Sequence, residues 1–174
     1  HGATMADIAA EVNLTAGSLY HHFPSKQELL LAVLDAGLGQ MISAVQAVVE
    51  GDAVPPEKLR QIVQLHVQSE IDNVNIAAAV IFESRALLEM PGVRDQYVRQ
   101  RDALEALYRR VIEDGIACGD FRALDVGIFV KTMFGALNWV SVWYRPAGRM
   151  SGAEIAEEIA RTFLASLRPG AGMP

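Results

Sequence analysis

The chain has 174 residues, of which 51% are hydrophobic, 21% charged and 7% aromatic. This length and apolar content suffice for one or two small domains with a sizeable core, and they exclude a disordered or low-complexity chain. The formal net charge of -6 argues against nonspecific wrapping of nucleic acid. It leaves room for a local DNA-reading element, because a charge is screened beyond roughly 10 Å at ordinary salt.

The cysteine content and the N-terminal residues indicate the cellular compartment of the protein. The single cysteine, Cys118, cannot form an intramolecular disulfide, and no second thiol or histidine cluster gives it the spacing of a metal site. We therefore expect a reducing, cytoplasmic setting, no bound metal and no cofactor. No signal-peptide pattern follows His1. Because the chain opens inside a predicted element, we expect further residues before His1.

Helical periodicity runs through the whole sequence and β-type alternation is absent, which predicts an all-α fold. At the N-terminus, Thr4 is typical of a helix N-cap and Asn13 of a helix end. Thr15 then begins a second short helix that ends near His22. The sequence thus opens with two short helices joined by a tight turn.

The remaining helices follow from start and stop signals. Ser25 with Glu28 three residues later is a capping box that opens a long helix toward Val49. His66, alone on an apolar helical face, is interpreted as a core or rim histidine rather than a metal ligand. Further helices are predicted over residues 57–71, 75–89, 93–118, 125–145 and 152–167.

Residues 126–144 carry Lys131 as their sole charge and approach the length of a membrane-spanning helix. Polar residues in the interior of the segment, and the low density of basic residues beside it, argue against spanning. We instead predict a helix buried inside a soluble bundle or dimer, and no membrane partner.

The two short N-terminal helices have the layout of a helix–turn–helix, whose second helix enters the major groove. Small and hydrogen-bonding residues at its start let the backbone approach base edges, and Lys26 opens the next helix, where free backbone amides favour a phosphate. The small core that sets the angle between the helices is predicted from Ile8, Ala9, Val12, Leu14, Leu19 and Phe23. The predicted DNA contacts are Thr4, Thr15, Ala16, Gly17, Ser18, Tyr20, His21, His22 and Lys26.

These residues also have a purely structural interpretation. Thr15 and Ser25 could serve as helix caps alone, and the His21–His22 pair could be ordinary surface residues at a helix end. The functional interpretation divides the contacts by chemistry. Lys26 and the Tyr20 hydroxyl would reach phosphates, whereas residues 16–18 and His21 would reach base edges.

The strings at residues 4–9 (TMADIA), 14–26 (LTAGSLYHHFPSK) and 28–30 (ELL) closely resemble the DNA-binding signature of the TetR/AcrR family of bacterial transcriptional regulators. The resemblance implies an all-helical homodimer, with a three-helix DNA-binding head and a ligand-binding body. Its last helix pair would form a four-helix bundle with the partner subunit. Asn13 departs from the glycine usual at that position, and the first helix of the head would precede His1. We place the head in residues 1–45 and the ligand-binding and dimerisation body in residues 46–174.

The body is expected to hold a small hydrophobic effector, although each apolar residue in it is also interpretable as plain core. The Trp-Tyr-Arg-Pro turn at residues 143–146 and its neighbours resemble regulators that sense acyl-CoA thioesters in fatty-acid or sterol breakdown. The candidate pocket residues are Val80, Ile81, Phe82, Leu87, Met90, Tyr97, Tyr108, Phe129, Met133 and Trp139. Candidate partners for the phosphates of such a thioester are Arg85, Arg94, Arg99, Arg101, Arg109 and Arg145.

Dimerisation is predicted from two apolar helical faces that one subunit could hardly cover alone. Small residues beside these faces would allow close helix approach. The predicted interface residues are Phe134, Leu137, Val140, Ile155, Ile159 and Phe163.

The sequence therefore predicts a ligand-responsive DNA-binding regulator, a repressor released from a palindromic operator by a small hydrophobic effector. An enzyme is the alternative from another class, but no Ser-His-Asp, Cys-His, paired-carboxylate or HExxH arrangement is evident. A helical carrier or adaptor without operator binding is the second alternative.

Overall fold

The computed structural model describes Met5, Ala9, residues 15–74, Glu89 and residues 93–170. Every regular element in these residues is an α-helix, in agreement with the predicted all-α fold. The predicted helices over 4–13 and 75–89 lie almost wholly outside the described residues. The described helices are α1 (Ala16–His22), α2 (Lys26–Glu50), α3 (Pro55–Asp72), α4 (Val93–Cys118), α5 (Val126–Asn138), α6 (Val140–Trp143) and α7 (Gly152–Leu167).

Several helix ends have the caps that the sequence predicts. Ser25 caps α2 by accepting a hydrogen bond from the backbone N–H of Glu28. Ser151 and Glu154 form a complete capping box at the start of α7. Gly119, directly after α4, has a φ of 87°, the left-handed conformation that favours glycine after a helix.

The predicted single helix over 125–145 is wrong in one respect, because it is interrupted after Asn138. Trp139 has a ψ of -8°, outside the range of a regular α-helix, and it separates α5 from α6. The side chain of Asn138 lies within 2.9 Å of the buried His66 ring, so the interruption coincides with an inward polar contact. Periodicity alone does not reveal such a contact.

The body is a helical bundle in which α3 packs against α7 and α2 packs against α4. Val45 and Val49, near the end of α2, are buried in the core of the body, and Leu38 packs against that core. Leu29, near the start of the same helix, packs against Met5 and Ala9 in the head. Helix α2 therefore belongs to both parts and is the mechanical connection between them.

A tight reversal follows α4 and leads into α5. The Phe121 backbone N–H donates to the Gly115 carbonyl at 2.9 Å, and the Phe121 ring lies directly over Gly115. The next residue, Arg122, donates from its backbone to Leu167 and from its side chain to Ser166. These bonds join the reversal to the end of α7.

Two described segments, Lys26–Glu50 and Val126–Trp143, have the length and apolar composition of a membrane-spanning helix. In the second segment, packing in the protein core explains part of the apolar composition. Val130, Met133 and Leu137 are fully buried against the other helices of the bundle. Core packing requires apolar side chains as a membrane does.

Candidate nucleic-acid interface and interior of the body

The head has its own small core. Met5 and Ala9 are helical, with 5% and 1% of their surface exposed, and they pack with Phe23 and Leu29. The predicted core roles of Ala9 and Phe23 are confirmed, whereas Met5 was not predicted. Ile8, Val12 and Leu14 lie outside the described residues. This cluster packs Met5 and Ala9 against the connection after α1 and the start of α2.

Helix α1 presents most of its described side chains outward. Thr15 caps the helix by accepting a hydrogen bond from the Ser18 backbone at 3.1 Å. Tyr20 is 51% exposed, and His21 and His22 are exposed with their rings edge to face at 5.3 Å. A tyrosine hydroxyl and two imidazoles are thus available for hydrogen bonding on one short helix.

Gly17 is exposed, and the described fold does not require a glycine there. A Cβ at this position would meet only Thr15 Oγ1, at 3.9 Å, among the described residues. The backbone is right-handed helix, so no special φ explains the glycine. The missing side chain leaves the backbone of α1 open to close approach by another molecule.

The other predicted contacts occupy the ends of this region. Ser18 is half-buried, and Lys26 is the partly buried first residue of α2. Ala16 begins α1. Thr4 lies outside the described residues. The described members of the predicted set are therefore concentrated on α1 and the N-terminus of α2.

The interior of the body contains a buried polar network, with His66 at its centre. The His66 ring is 4% exposed and lies 2.8 Å from the Tyr108 hydroxyl through Nδ1, and 2.9 Å from Asn138 Oδ1 through Nε2. Because an amide oxygen can only accept, Nε2 carries the proton, and the Tyr108 hydroxyl donates to Nδ1. His66 is a satisfied core histidine, as predicted.

Burial also controls the ionisation of this network. Burial lowers the pKa of His66 to about 4, with the hydrogen bond to Asn138 opposing the shift, so the ring is neutral near pH 7. Glu70, one turn later on α3, has its pKa raised to about 7 by burial, with a hydrogen bond from Ser141 opposing the shift. Burial likewise raises the pKa of Tyr108. The network is therefore uncharged apart from Glu70, which is poised between its two forms.

The predicted effector-binding residues that the structure describes do not converge on one surface. Tyr108 and Met133 are fully buried, and Phe129 packs edge to face on Phe163 at 5.9 Å. Tyr97 borders a cleft of ≈ 60 Å³ between α2 and α4. Trp139 is 50% exposed on the outer surface, which contradicts its assignment to an interior pocket. The other candidates, Val80, Ile81, Phe82, Leu87 and Met90, lie outside the described residues.

The structure also corrects part of the predicted dimer interface. Leu137 and Val140 are fully buried inside their own subunit and cannot contact a partner. The Phe134 ring packs edge to face on Tyr108 at 4.9 Å. Three further predicted residues pack, partly buried, against the core of their own chain: Ile155, Ile159 and Phe163.

An exposed apolar stripe lies on another face of α5 and α6. Ile128, Trp139 and Trp143 are 65%, 50% and 45% exposed, and Thr132 and Gly135 are exposed between them. Successive members are three or four residues apart, the spacing of one helical face. We call these five residues the tryptophan stripe. The sequence predicts the dimer interface on the other face of this segment, with Leu137 and Val140, and that face points inward.

Of the arginines considered for phosphate binding, Arg94 and Arg99 are exposed on α4. Three others have partners in the chain. Arg101 pairs with Asp102, Arg109 pairs with Glu105, and Arg145 donates to backbone carbonyls. Arg85 lies outside the described residues.

Family models match both parts of the chain. Residues 1–33 match "Bacterial regulatory proteins, tetR family", and residues 52–167 match "Tetracyclin repressor-like, C-terminal domain". The HTH-type transcriptional repressor KstR2 of Mycolicibacterium smegmatis is 30% identical over 171 residues, which cover 96% of this chain and 80% of the relative.

Solved structures agree with this assignment. The TetR-family regulator PfmR from Thermus thermophilus superposes with a TM-score of 0.83 at 28% identity, covering 96% of this chain and 90% of that one. AibR, solved with isovaleryl coenzyme A and operator DNA, has the same fold, with a TM-score of 0.76 at 24% identity over 97% of this chain and 88% of that one. The chain belongs to the TetR family and is a helix–turn–helix, DNA-binding transcriptional regulator.

Proposed function

We propose that this protein is a cytoplasmic repressor that binds a palindromic operator as a homodimer and is released by a small hydrophobic effector. The observation that carries the proposal is the surface of α1, where Gly17 and Tyr20 are exposed although the described fold does not require a glycine there. A helix with an open backbone and hydrogen-bonding side chains suits the major groove. Lys26, at the start of α2, would contact a phosphate.

The second subunit would cover the tryptophan stripe. A palindromic operator presents two half-sites, which requires two heads on one molecule. Large apolar residues exposed in a row, such as Ile128, Trp139 and Trp143, are unfavourable in water and mark an interaction surface. Gly135 and Ala136, exposed on the same helix, allow the partner helix to approach closely.

We infer that the effector is an acyl-CoA thioester. The Trp-Tyr-Arg-Pro turn supports this class, and so does the structural similarity to AibR, which was solved with isovaleryl coenzyme A. Arg94 and Arg99 are exposed cations that could contact phosphate groups. The effector would act by binding more tightly to the dimer conformation with one head-to-head spacing than to the conformation with the other. Helix α2 would transmit the change because it joins head and body.

The proposal is tested by selecting operator sequences from random duplexes with the purified protein. We expect a palindrome whose half-sites are about one helical turn apart, or a multiple of it, and binding that weakens steeply with salt. Lys26→Ala should weaken binding to all sequences alike, and Ser18→Ala should change the preference at one base step. A panel of acyl-CoA thioesters of different chain length is then added to the gel-shift assay.

Release of the operator by one or more of the thioesters supports the proposal. Operator binding that none of them affects would remove the acyl-CoA assignment and leave the repressor assignment in place. Retention of small molecules with no selected duplex would favour the alternative of a helical carrier or adaptor. Turnover of a thioester would favour an enzyme.

A further inference from the structure

The polar network in the body is satisfied at every described member except one. His66 and Tyr108 bond to each other, His66 also bonds to Asn138, and the Ser141 hydroxyl donates to the Asn138 carbonyl at 3.1 Å. The exception is Glu70, whose carboxyl group shares the Ser141 hydroxyl with the Asn138 carbonyl. Its Oε2 atom is buried and has no hydrogen-bond partner among the described residues.

Such an atom is costly and therefore informative. Native proteins bury few polar atoms without partners, because each unsatisfied atom destabilises the fold, and more so if it is charged. The side chain of Glu70 is 17% exposed, and its Oε1 lies 4.0 Å from His66 Nε2, on a ring that is neutral near pH 7. That His66 proton is already donated to Asn138. The described chain thus leaves a hydrogen-bonding position at Oε2 for another molecule.

The chemistry of the surroundings restricts what this molecule can be. A carboxylate or phosphate would be repelled by an ionised Glu70. An ammonium group would bring a second charge out of water, which is strongly unfavourable. A hydroxyl group donates to a carboxylate and accepts from a carboxylic acid, so it fits both forms of a group whose pKa burial raises to about 7.

The neighbours of the network are apolar. The Phe134 ring lies edge to face against both His66, at 5.6 Å, and Tyr108, at 4.9 Å. Leu137 and Val140 are fully buried beside the α5–α6 junction. The part of a molecule that bonds to Glu70 would therefore be apolar apart from a single polar group.

We propose that Glu70 anchors an uncharged hydroxyl group on the apolar part of the effector, so that the body selects hydroxylated apolar ligands over carboxylates and amines of the same length. This inference rests on the proposed function, because it assigns a contact to the apolar part of the effector. A ligand bound at Glu70 would act on the tryptophan stripe through the junction between α5 and α6. Asn138 ends α5, and the next residue, Trp139, is part of the tryptophan stripe.

Matched ten-carbon probes test the site on the purified chain by isothermal titration calorimetry. The probes are 1-decanol, decyl methyl ether, decanoate and decylamine. We expect 1-decanol to bind roughly tenfold or more tightly than the ether and decanoate, since a hydrogen bond to a charged group contributes about 1.5–3 kcal/mol and 1.4 kcal/mol is tenfold. Glu70→Leu should remove that preference and keep binding of the ether. Glu70→Gln, which can still bond to a hydroxyl, should retain part of it.

The control variant is Glu50→Leu, which removes an exposed acid at the end of α2 and should leave the preference unchanged. Thermal melts verify folding, and Glu70→Leu should melt no lower than wild type because an unsatisfied buried group is removed. Equal binding of decanol and ether, a preference for decanoate or decylamine, no binding of any probe, or a preference that survives Glu70→Leu would each overturn the proposal. Operator binding without ligand is measured separately, so failure of the site and failure of the repressor assignment remain distinguishable.

Discussion

The side-chain amide of Gln96 donates a hydrogen bond of 2.6 Å to Oδ1 of Asp35. Gln100, one turn further along α4, donates to the same oxygen at 2.7 Å. Asp35 lies on α2, which carries the head, and both glutamines lie on α4, in the body. One carboxylate thus joins the head-bearing helix to the body, beside the small cleft that Leu34 and Tyr97 also line.

Asp35→Ala should loosen the N-terminal half of α2 without unfolding the body. The variant loses one acceptor shared by two amides at a partly exposed site, for which we expect about 1 kcal/mol of local stability. Hydrogen exchange of backbone amides in residues 26–36 should then accelerate roughly fivefold. The control is Asp52→Ala, in the exposed loop between α2 and α3. Unchanged exchange in residues 26–36 would mean that this carboxylate does not restrain the helix.

Gly17→Leu should weaken operator binding while the melting temperature does not fall. The described fold has space for the new side chain, and leucine is a better helix former than glycine. A bulky group on α1 would instead hold the backbone away from the duplex, and we expect a loss of roughly tenfold or more. Gly37→Leu on α2 is the matched control, because a Cβ there meets nothing within 4 Å. Equal operator affinities of the two variants would argue against α1 as the reading helix.

Gly115→Ala should destabilise the body. A Cβ on Gly115 would clash with Phe121 Cδ2, and Phe121 is only 4% exposed, so its ring has little room to move. Overpacking of this kind costs about 1–3 kcal/mol, which exceeds the helix-propensity gain of about 1 kcal/mol from alanine. Gly39→Ala, which meets no atom within 4 Å, should be neutral or stabilising. Urea unfolding of both variants gives the comparison, and shifts of the same sign would contradict the packing argument.

Trp139→Glu should convert the dimer to a monomer that remains folded. Trp139 is half exposed in its own subunit, so its replacement leaves the core intact, whereas a charge in the middle of the tryptophan stripe would be buried by a partner. Sedimentation velocity measures the change. Val54→Glu, at a position 61% exposed before α3, is the control. A Trp139→Glu protein that stays dimeric would place the interface elsewhere.

The pair His66 and Glu70 predicts a specific dependence of stability on pH. The folded-state pKa of His66 lies below its ordinary value of 6.5, so its contribution is complete above pH 6.5 and is lost as the pH falls toward about 4. The folded-state pKa of Glu70 lies above 4.5, so its contribution is complete below pH 4.5 and is lost as the pH rises toward about 7. Between pH 4.5 and 6.5 the two contributions oppose each other.

The variant Glu70→Gln should reveal the contribution of His66 to the pH dependence of stability, because it removes the opposing contribution of Glu70. Relative to wild type, the free energy of unfolding of this variant should fall by about 1.4 kcal/mol for each unit by which the pH is lowered from 6.5 to 4.5, because one more proton is bound in the unfolded state. Urea unfolding at a series of pH values measures the difference. Parallel profiles for variant and wild type would show that Glu70 is ionised normally in the folded protein.

Local signals in the sequence predicted much of the fold. The caps at Ser25 and Ser151, the glycine after α4 and the helical period located the described helices to within a few residues. The string around Gly17 and Tyr20 predicted both the family and the described surface of α1. These features depend on residues close together in the chain, so a linear pattern contains them.

Side-chain orientation among several helices was not predictable in the same way. Leu137 and Trp139 are neighbours on one apolar segment, yet one is fully buried and the other half exposed. Composition does not distinguish them, since the whole segment is apolar and Asn138 is turned inward by a histidine 72 residues away in the chain.

By itself, the sequence determined the helical class, the helix starts and the family, because capping, periodicity and a contiguous motif are local properties. Only the tertiary structure decided which apolar face is buried, where α5 ends, and that Glu70 keeps a buried oxygen without a described partner. The physical reason is that burial and hydrogen-bond satisfaction depend on distant residues meeting in space.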